Sequence, residues 1–167
     1  MKNKTNITKN QFIECNEIIY KFYYSKITII YEVLLALFIV LLVSIEKYIL
    51  ALVFALVLIC FPILLNRLFK KKSMESIDKL FTGDYFLSYE YTFNDDYFIV
   101  NVIRNDKSKE YSYEYKNLKR IVEKDNAYYI FIEKASAFAV DKNSFSFEDK
   151  HNFKTFIKNK VKKYEVL

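Results

Sequence analysis

Apolar side chains change their spacing along this chain, and each spacing predicts a different element. From Lys9 they recur every three or four residues, at Phe12, Cys15, Ile19, Phe22 and Tyr23, with Glu14, Glu17 and Lys21 on the opposite side. That period belongs to an amphipathic helix, and Thr8 followed by Gln11 supplies a capping box for its start. Residues 1–26 are therefore read as an amphipathic N-terminal helix, lying either on a bilayer surface or on the C-terminal part of the chain. From 27 to 69 the chain is apolar almost throughout, broken only at Glu46-Lys47. From 85 onward apolar and polar residues alternate, as in strands. After Ser146 the helical period returns at Phe153, Phe156, Ile157, Val161 and Tyr164.

The continuous apolar stretch predicts a transmembrane hairpin. A bilayer core about 30 Å thick takes roughly 20 apolar residues in a helix. Residues 27–45 span 19 positions and residues 48–69 span 22, most of them apolar. A cleaved signal peptide would carry a shorter apolar core near the N-terminus; here the first run starts at 27 and a second follows at once. The short break forces the helices to be antiparallel neighbours. Lys2, Lys4, Lys9, Lys21 and Lys26 precede the hairpin, and Arg67, Lys70, Lys71 and Lys72 follow it, whereas the apex has one Lys beside one Glu. Positive charge stays on the cytoplasmic side, which predicts a multi-pass protein of the cell membrane with two helices and both termini cytoplasmic. Arg67, Lys70, Lys71 and Lys72 are the candidate anchor to lipid headgroups. Glu32 and Asn66 are the intramembrane polar candidates, since ionisable and polar groups are costly in hydrocarbon. Glu32 is expected to meet Arg67 near the interface. Pro62 lacks an N–H and is expected to kink the second helix near Leu58.

Residues 70–84 read as a short helical connector, capped by Ser73 and stopped at Thr82-Gly83-Asp84. Residues 85–167 read as a small domain of antiparallel strands. Tyr85, Leu87, Tyr89, Tyr91 and Phe93 mark the first, and Phe98, Val100 and Val102 the second. Tyr111, Tyr113 and Tyr115 mark the third. The fourth runs through Leu118, Arg120 and Val122, or in the offset phase through Lys119, Ile121 and Glu123. The fifth spans 128–134 and the sixth, an edge strand, 137–141. Asn94-Asp95-Asp96, Asn105-Asp106 and Asp125-Asn126 are the turns. A helix over 147–163, capped by Ser146, closes the curled sheet. The fold class is α+β: a two-helix transmembrane hairpin, then a small antiparallel β sandwich or barrel closed by a C-terminal helix.

Composition narrows the chemistry. The net charge is +6, but residues 85–167 carry only 15 Lys and Arg against 13 Asp and Glu. A nucleic-acid binder concentrates basic charge far more strongly; the modest excess suits an anionic lipid surface. One Gly excludes a glycine-rich phosphate loop, and one His with two separated Cys excludes a Cys–His metal site. Cys15 and Cys60 are not expected to pair. Asp95-Asp96 and Glu148-Asp149 are explained by a turn and a helix start. No catalytic, cofactor-binding or metal-binding residue is assigned, and no enzyme activity is expected.

Three segments carry a family resemblance: Tyr-Glu-Tyr-Lys-Asn-Leu-Lys-Arg-Ile-Val-Glu at 113–123, Asp-Asn-Ala-Tyr-Tyr-Ile at 125–130 and Ala-Val-Asp-Lys-Asn-Ser-Phe at 139–145. With the two early membrane helices they resemble the YcxB-like bacterial membrane proteins. In those proteins an apolar pair is followed by Pro, Lys, Arg and an aromatic residue; here Asp141 and Asn143 stand in the Pro and Arg places. The resemblance implies a cytoplasmic domain resembling a pleckstrin-homology (PH-like) barrel, and it brings no activity. The expected function is a membrane-tethered binding or scaffold protein. Its partners are the lipid bilayer and either an unidentified protein, docking by strand addition at 137–141, or further copies of itself. The alternatives are a hairpin-mediated regulator or immunity-type partner of another membrane protein, and an anionic-lipid sensor.

Overall fold

The computed structural model describes residues 1–82, 87–105 and 107–167. The expected roles of Gly83, Asp84, Tyr85, Phe86 and Asp106 lie outside the described residues. The chain forms two compact units, Met1–Cys15 with Leu80–Leu167, and Asn16–Lys79.

Asn16–Lys79 holds the two apolar helices. The first helical run is continuous from Lys9 to Ser44. It comprises α1 (Lys9–Ile19), a π-helical segment (Tyr20–Tyr24) and α2 (Ser25–Ser44). α1 starts as the capping box requires: the Thr8 N–H donates to Gln11 Oε1 at 3.0 Å and the Gln11 N–H to Thr8 Oγ1 at 3.3 Å. α2 stops through its backbone. Glu46 adopts φ 61, the Glu46 N–H donates to Val43 O, and the Lys47 N–H donates to Leu42 O at 2.8 Å. This pairing of a left-handed residue with two back-bonds is the Schellman arrangement. α3 (Tyr48–Leu80) then runs 33 residues without interruption, with Pro62 and the lysine triplet inside it. The expected separate connector helix is therefore absent. Ser73 lies inside α3, because Lys70, Lys71 and Lys72 are good helix formers and nothing there breaks the backbone ladder.

Burial marks an inner seam on both helices, at Glu32, Leu35, Ile39 and Leu42 in α2 and at Ala51, Phe54, Leu58, Pro62 and Leu65 in α3. The steps of three and four are those of antiparallel helices packed along one stripe. Phe38 and Phe54 meet edge to face at 5.2 Å. Tyr20 and Tyr24 both lie against Phe69, at 4.9 and 5.1 Å.

The other unit contains two four-stranded sheets. The first has the order β1-β2-β3-β4, with β1 at Lys2–Asn6, β2 at Leu87–Phe93, β3 at Tyr97–Arg104 and β4 at Lys107–Glu114. The second has the order β7-β6-β5-β8, with β5 at Arg120–Lys124, β6 at Ala127–Glu133, β7 at Ser136–Asp141 and β8 at Tyr164–Val166. Asn105 and Asp125 take φ 43 and 45, the left-handed geometry that tight hairpins need and that Asn and Asp tolerate. Tyr115 falls in a short 3-10 turn rather than in the third strand.

Four expectations are corrected here. Residues 2–6 form a strand, not the start of a helix: they pair antiparallel with β2 from Lys2↔Thr92 to Asn6↔Ser88. The sheets do not close into a barrel among the described residues. The second sheet is mixed, because β8 runs parallel to β5. The last helix, α4 (Phe147–Lys160), ends before 163, with Val161 extended at φ −121, so that Tyr164 pairs with Ile121 instead of continuing the helical stripe. Its start is as expected, the Asp149 N–H donating to Ser146 Oγ at 3.2 Å.

α4 packs its apolar residues into a core shared by both sheets. Phe153 and Ile157 are fully buried among Phe93, Phe98, Ile121 and Ile130. Phe153 sits 4.5 Å from Phe145, 4.7 Å from Phe93 and 5.1 Å from Tyr128, ring centre to ring centre. A buried Phe contributes about 1.5–3 kcal/mol through burial alone. The two phases left open for the fourth strand are both buried, from Arg120 to Glu123, because β5 is an interior strand.

Candidate functional site

The sequence-derived candidates divide between exposed cations and seam positions. Arg67, Lys70, Lys71 and Lys72 are exposed along α3, near the aromatic group of Tyr20, Tyr24 and Phe69. Aromatic rings beside cations are the composition of a membrane–water interface. Glu32 and Asn66 are half-buried on the seam. The expected Glu32–Arg67 pair does not form among the described residues: Glu32 faces inward on the seam while Arg67 is exposed. The Asn66 Oδ1 atom is buried and accepts no hydrogen bond among the described residues.

The sheet edges carry the polar geometry that sequence alone did not reveal. β7 is an edge strand in the ladder, as expected, yet it does not offer a free edge. Its Asp141 N–H donates to Thr5 Oγ1 and its Asp141 carbonyl accepts from Asn3 Nδ2, each at 2.9 Å. The Thr5 hydroxyl donates to Asn3 Oδ1 at 2.7 Å, closing the triad. The Tyr91 hydroxyl donates to Ala139 O at 2.7 Å. Side chains of β1 and β2 thus occupy outward-facing groups of β7, so the proposed strand-addition site at 137–141 is blocked at Ala139 and Asp141. The rest of that edge lines an apolar cleft of about 30 Å³ with Ile7, Gln11, Phe12, Cys15 and Tyr89. Burial there pushes the Cys15 thiol up to about 12, which keeps it protonated and unreactive.

The amphipathic helix belongs, as far as Cys15, with the sheets. The hydroxyl of Tyr129, fully buried, donates to the Glu14 carboxylate, and Phe12 meets Phe81 edge to face at 5.5 Å. By helical period Glu14 falls on the polar side of this helix, yet what reads as a solvent-facing charge is a polar docking contact. Burial raises the Tyr129 pKa, and the Glu14 bond raises it further.

Glu123 is the electrostatic node of the domain. Its carboxylate accepts from Lys142 Nζ at 2.9 Å and Lys154 Nζ at 2.7 Å, and from the Tyr164 hydroxyl. Burial alone would raise its pKa, but the bonds from Lys142, Lys154 and Tyr164 together outweigh it and hold it at about 2. Lys142 also lies 5.1 Å above the Tyr128 ring. Arg120 pairs with Glu165 at 3.2 Å. These contacts tie α4, β5 and β8 together. The described residues bring together no group of three or more His, Cys, Asp or Glu suited to a metal ion. His151 is exposed beside Phe147, at 5.3 Å.

The class is now defined: an α+β protein with two helices long and apolar enough to span a membrane, and a unit of two four-stranded sheets whose core takes in a C-terminal helix. Residues 93–157 match the family model described as YcxB-like protein, so the resemblance drawn from 113–123, 125–130 and 139–145 holds across the segment from the end of β2 to Ile157. No curated protein and no solved structure matches the chain.

Proposed function

We propose that this is a membrane-tethered, non-enzymatic binding or scaffold protein. The two helices anchor it as a multi-pass protein in the cell membrane with both termini cytoplasmic, and they present the PH-like domain at that face. Arg67, Lys70, Lys71 and Lys72 hold headgroups at the inner leaflet. The observation that carries the reading is the surface of the hairpin. Only 6% of the most apolar stretch of each helix is buried. A core helix of a soluble domain would be covered by protein; these present rows of bare Leu, Ile and Val, and a soluble monomer rarely exposes such a contiguous patch. Lipid is the solvent that this surface fits.

The test is fractionation of the full-length chain after lysis without detergent. It should sediment with membranes, resist alkaline carbonate and be released by detergent. Recovery in the carbonate supernatant would overturn the reading.

A further inference from the structure

Among the described residues the outer edge of β4 is open. β4 ends the first sheet, and among the described residues no strand pairs with its outer side. Its phase follows from the ladder. The Tyr115 N–H donates to Asp96 O, and Phe98 faces Tyr113 in the register. Hydrogen-bonded and non-bonded pairs alternate along an antiparallel ladder, so Tyr111 and Tyr113 bond to β3, and Ser108, Glu110, Ser112 and Glu114 turn their N–H and C=O groups outward. The side chains of those same four residues are exposed, in the alternation Ser, Glu, Ser, Glu.

We propose that β4 pairs antiparallel with β4 of a second copy of this chain, joining two domains into one continuous sheet across a two-fold axis. This rests on the proposed membrane tether, which holds both copies at one surface. The occupant is argued from charge. A parallel copy in register stacks Glu110 and Glu114 on their own images, which is unfavourable. Among antiparallel registers that keep the outward groups in phase and overlap most of β4, one sets Glu110 against Glu110. The other sets Glu110 opposite Ser112 and Ser108 opposite Glu114. On the opposite face it sets Tyr111 beside Tyr111 and Lys109 beside Tyr113, and no like charges meet. Lys109 already lies 5.0 Å above the Tyr111 ring in its own chain, so the Lys–Tyr face extends across the two-fold axis a pairing of cation and aromatic ring that each copy already makes. The interface is isologous, as a two-fold dimer requires.

Disulfide trapping in native membranes tests this register. On a Cys15→Ser, Cys60→Ser background, one copy carries Ser108→Cys and a co-expressed copy carries Glu114→Cys. Mild oxidation should give a band at twice the chain mass from the mixture and little from either variant alone, because 108 and its own image lie at opposite ends of the paired strands, beyond disulfide reach. Adding Ser112→Pro to both copies removes an outward N–H without touching the β3 ladder, and should abolish the band while the protein stays in the membrane pellet. A mixture that links no better than the single variants, or a band that survives Ser112→Pro, overturns the pairing. Protein missing from the pellet would instead overturn the tether.

Discussion

Glu123 shows how one charge can organise a small domain. Its donors come from α4, from the turn after β7 and from β8, three segments that share no ladder with one another. Its ordinary pKa is 4.5 and its folded value about 2. A carboxyl depressed by folding stabilises the native state above the unfolded pKa and loses that contribution as pH falls toward the folded one. The urea midpoint of the detergent-solubilised chain, followed by tyrosine fluorescence, should therefore drop between pH 4.5 and about 2. Glu123→Gln should lower stability at pH 7 by about 1.5–3 kcal/mol, the scale of hydrogen bonds to a charged group, and flatten that acid limb. Asn66 is the opposite case. A buried acceptor without a donor costs about 1–3 kcal/mol, so Asn66→Leu should make the hairpin more resistant to SDS-induced unfolding. A hairpin weakened by Asn66→Leu would mean that the amide is satisfied within the bilayer.

At the scale of elements, two terminations deserve measurement because each depends on a single residue. Glu46 holds a left-handed conformation where Gly is the usual occupant, so Glu46→Gly should stabilise the hairpin by about 1 kcal/mol in the same SDS titration, by relieving the Cβ clash. β1 is held to β7 by side chains in place of a ladder. Thr5→Val keeps the shape and removes the hydroxyl, leaving the Asp141 N–H and Asn3 Oδ1 without partners. A loss of about 1–3 kcal/mol in urea is expected, together with faster amide hydrogen exchange at Asp141. Unchanged exchange there would show that the triad does not close this edge.

For the whole molecule, the proposed orientation rests on charge placement. Five Lys lie before residue 27 and Arg67 with three Lys lies after the second apolar run, whereas the apex holds Lys47 beside Glu46. Reporter fusions at Lys47 and after Leu167 should report opposite sides of the membrane, with Leu167 inside. Matching signals at both points would refute a two-span arrangement. The division into two compact units also locates the electrostatics: Glu123, Arg120 and Glu14 act within the sheet unit, and Glu32 and Asn66 within the unit of the two apolar helices.

Composition and period alone determined the two apolar helices, the turn between them, the strands from β2 to β7 and the caps at Thr8 and Ser146. Each depends on neighbours within a few residues, on summed hydrophobicity or on the alternation of one face. The YcxB-like segment was legible for the same reason, since short turn-and-strand motifs are local. Only the tertiary structure decided the roles of β1, Glu14 and β8. Lys2–Asn6 contains no apolar residue, so no hydrophobic period could announce a strand whose inward side chains, Asn3 and Thr5, are buried because their partners lie more than a hundred residues away. Glu14 reads as solvent-facing until Tyr129 meets it, and Tyr164 continues a helical stripe until β5 captures it. Which edge stays open was likewise a tertiary matter: the pattern marks 137–141 as an edge strand, yet side chains of β1 and β2, remote in sequence, cover that edge, while among the described residues no strand pairs with the outer side of β4.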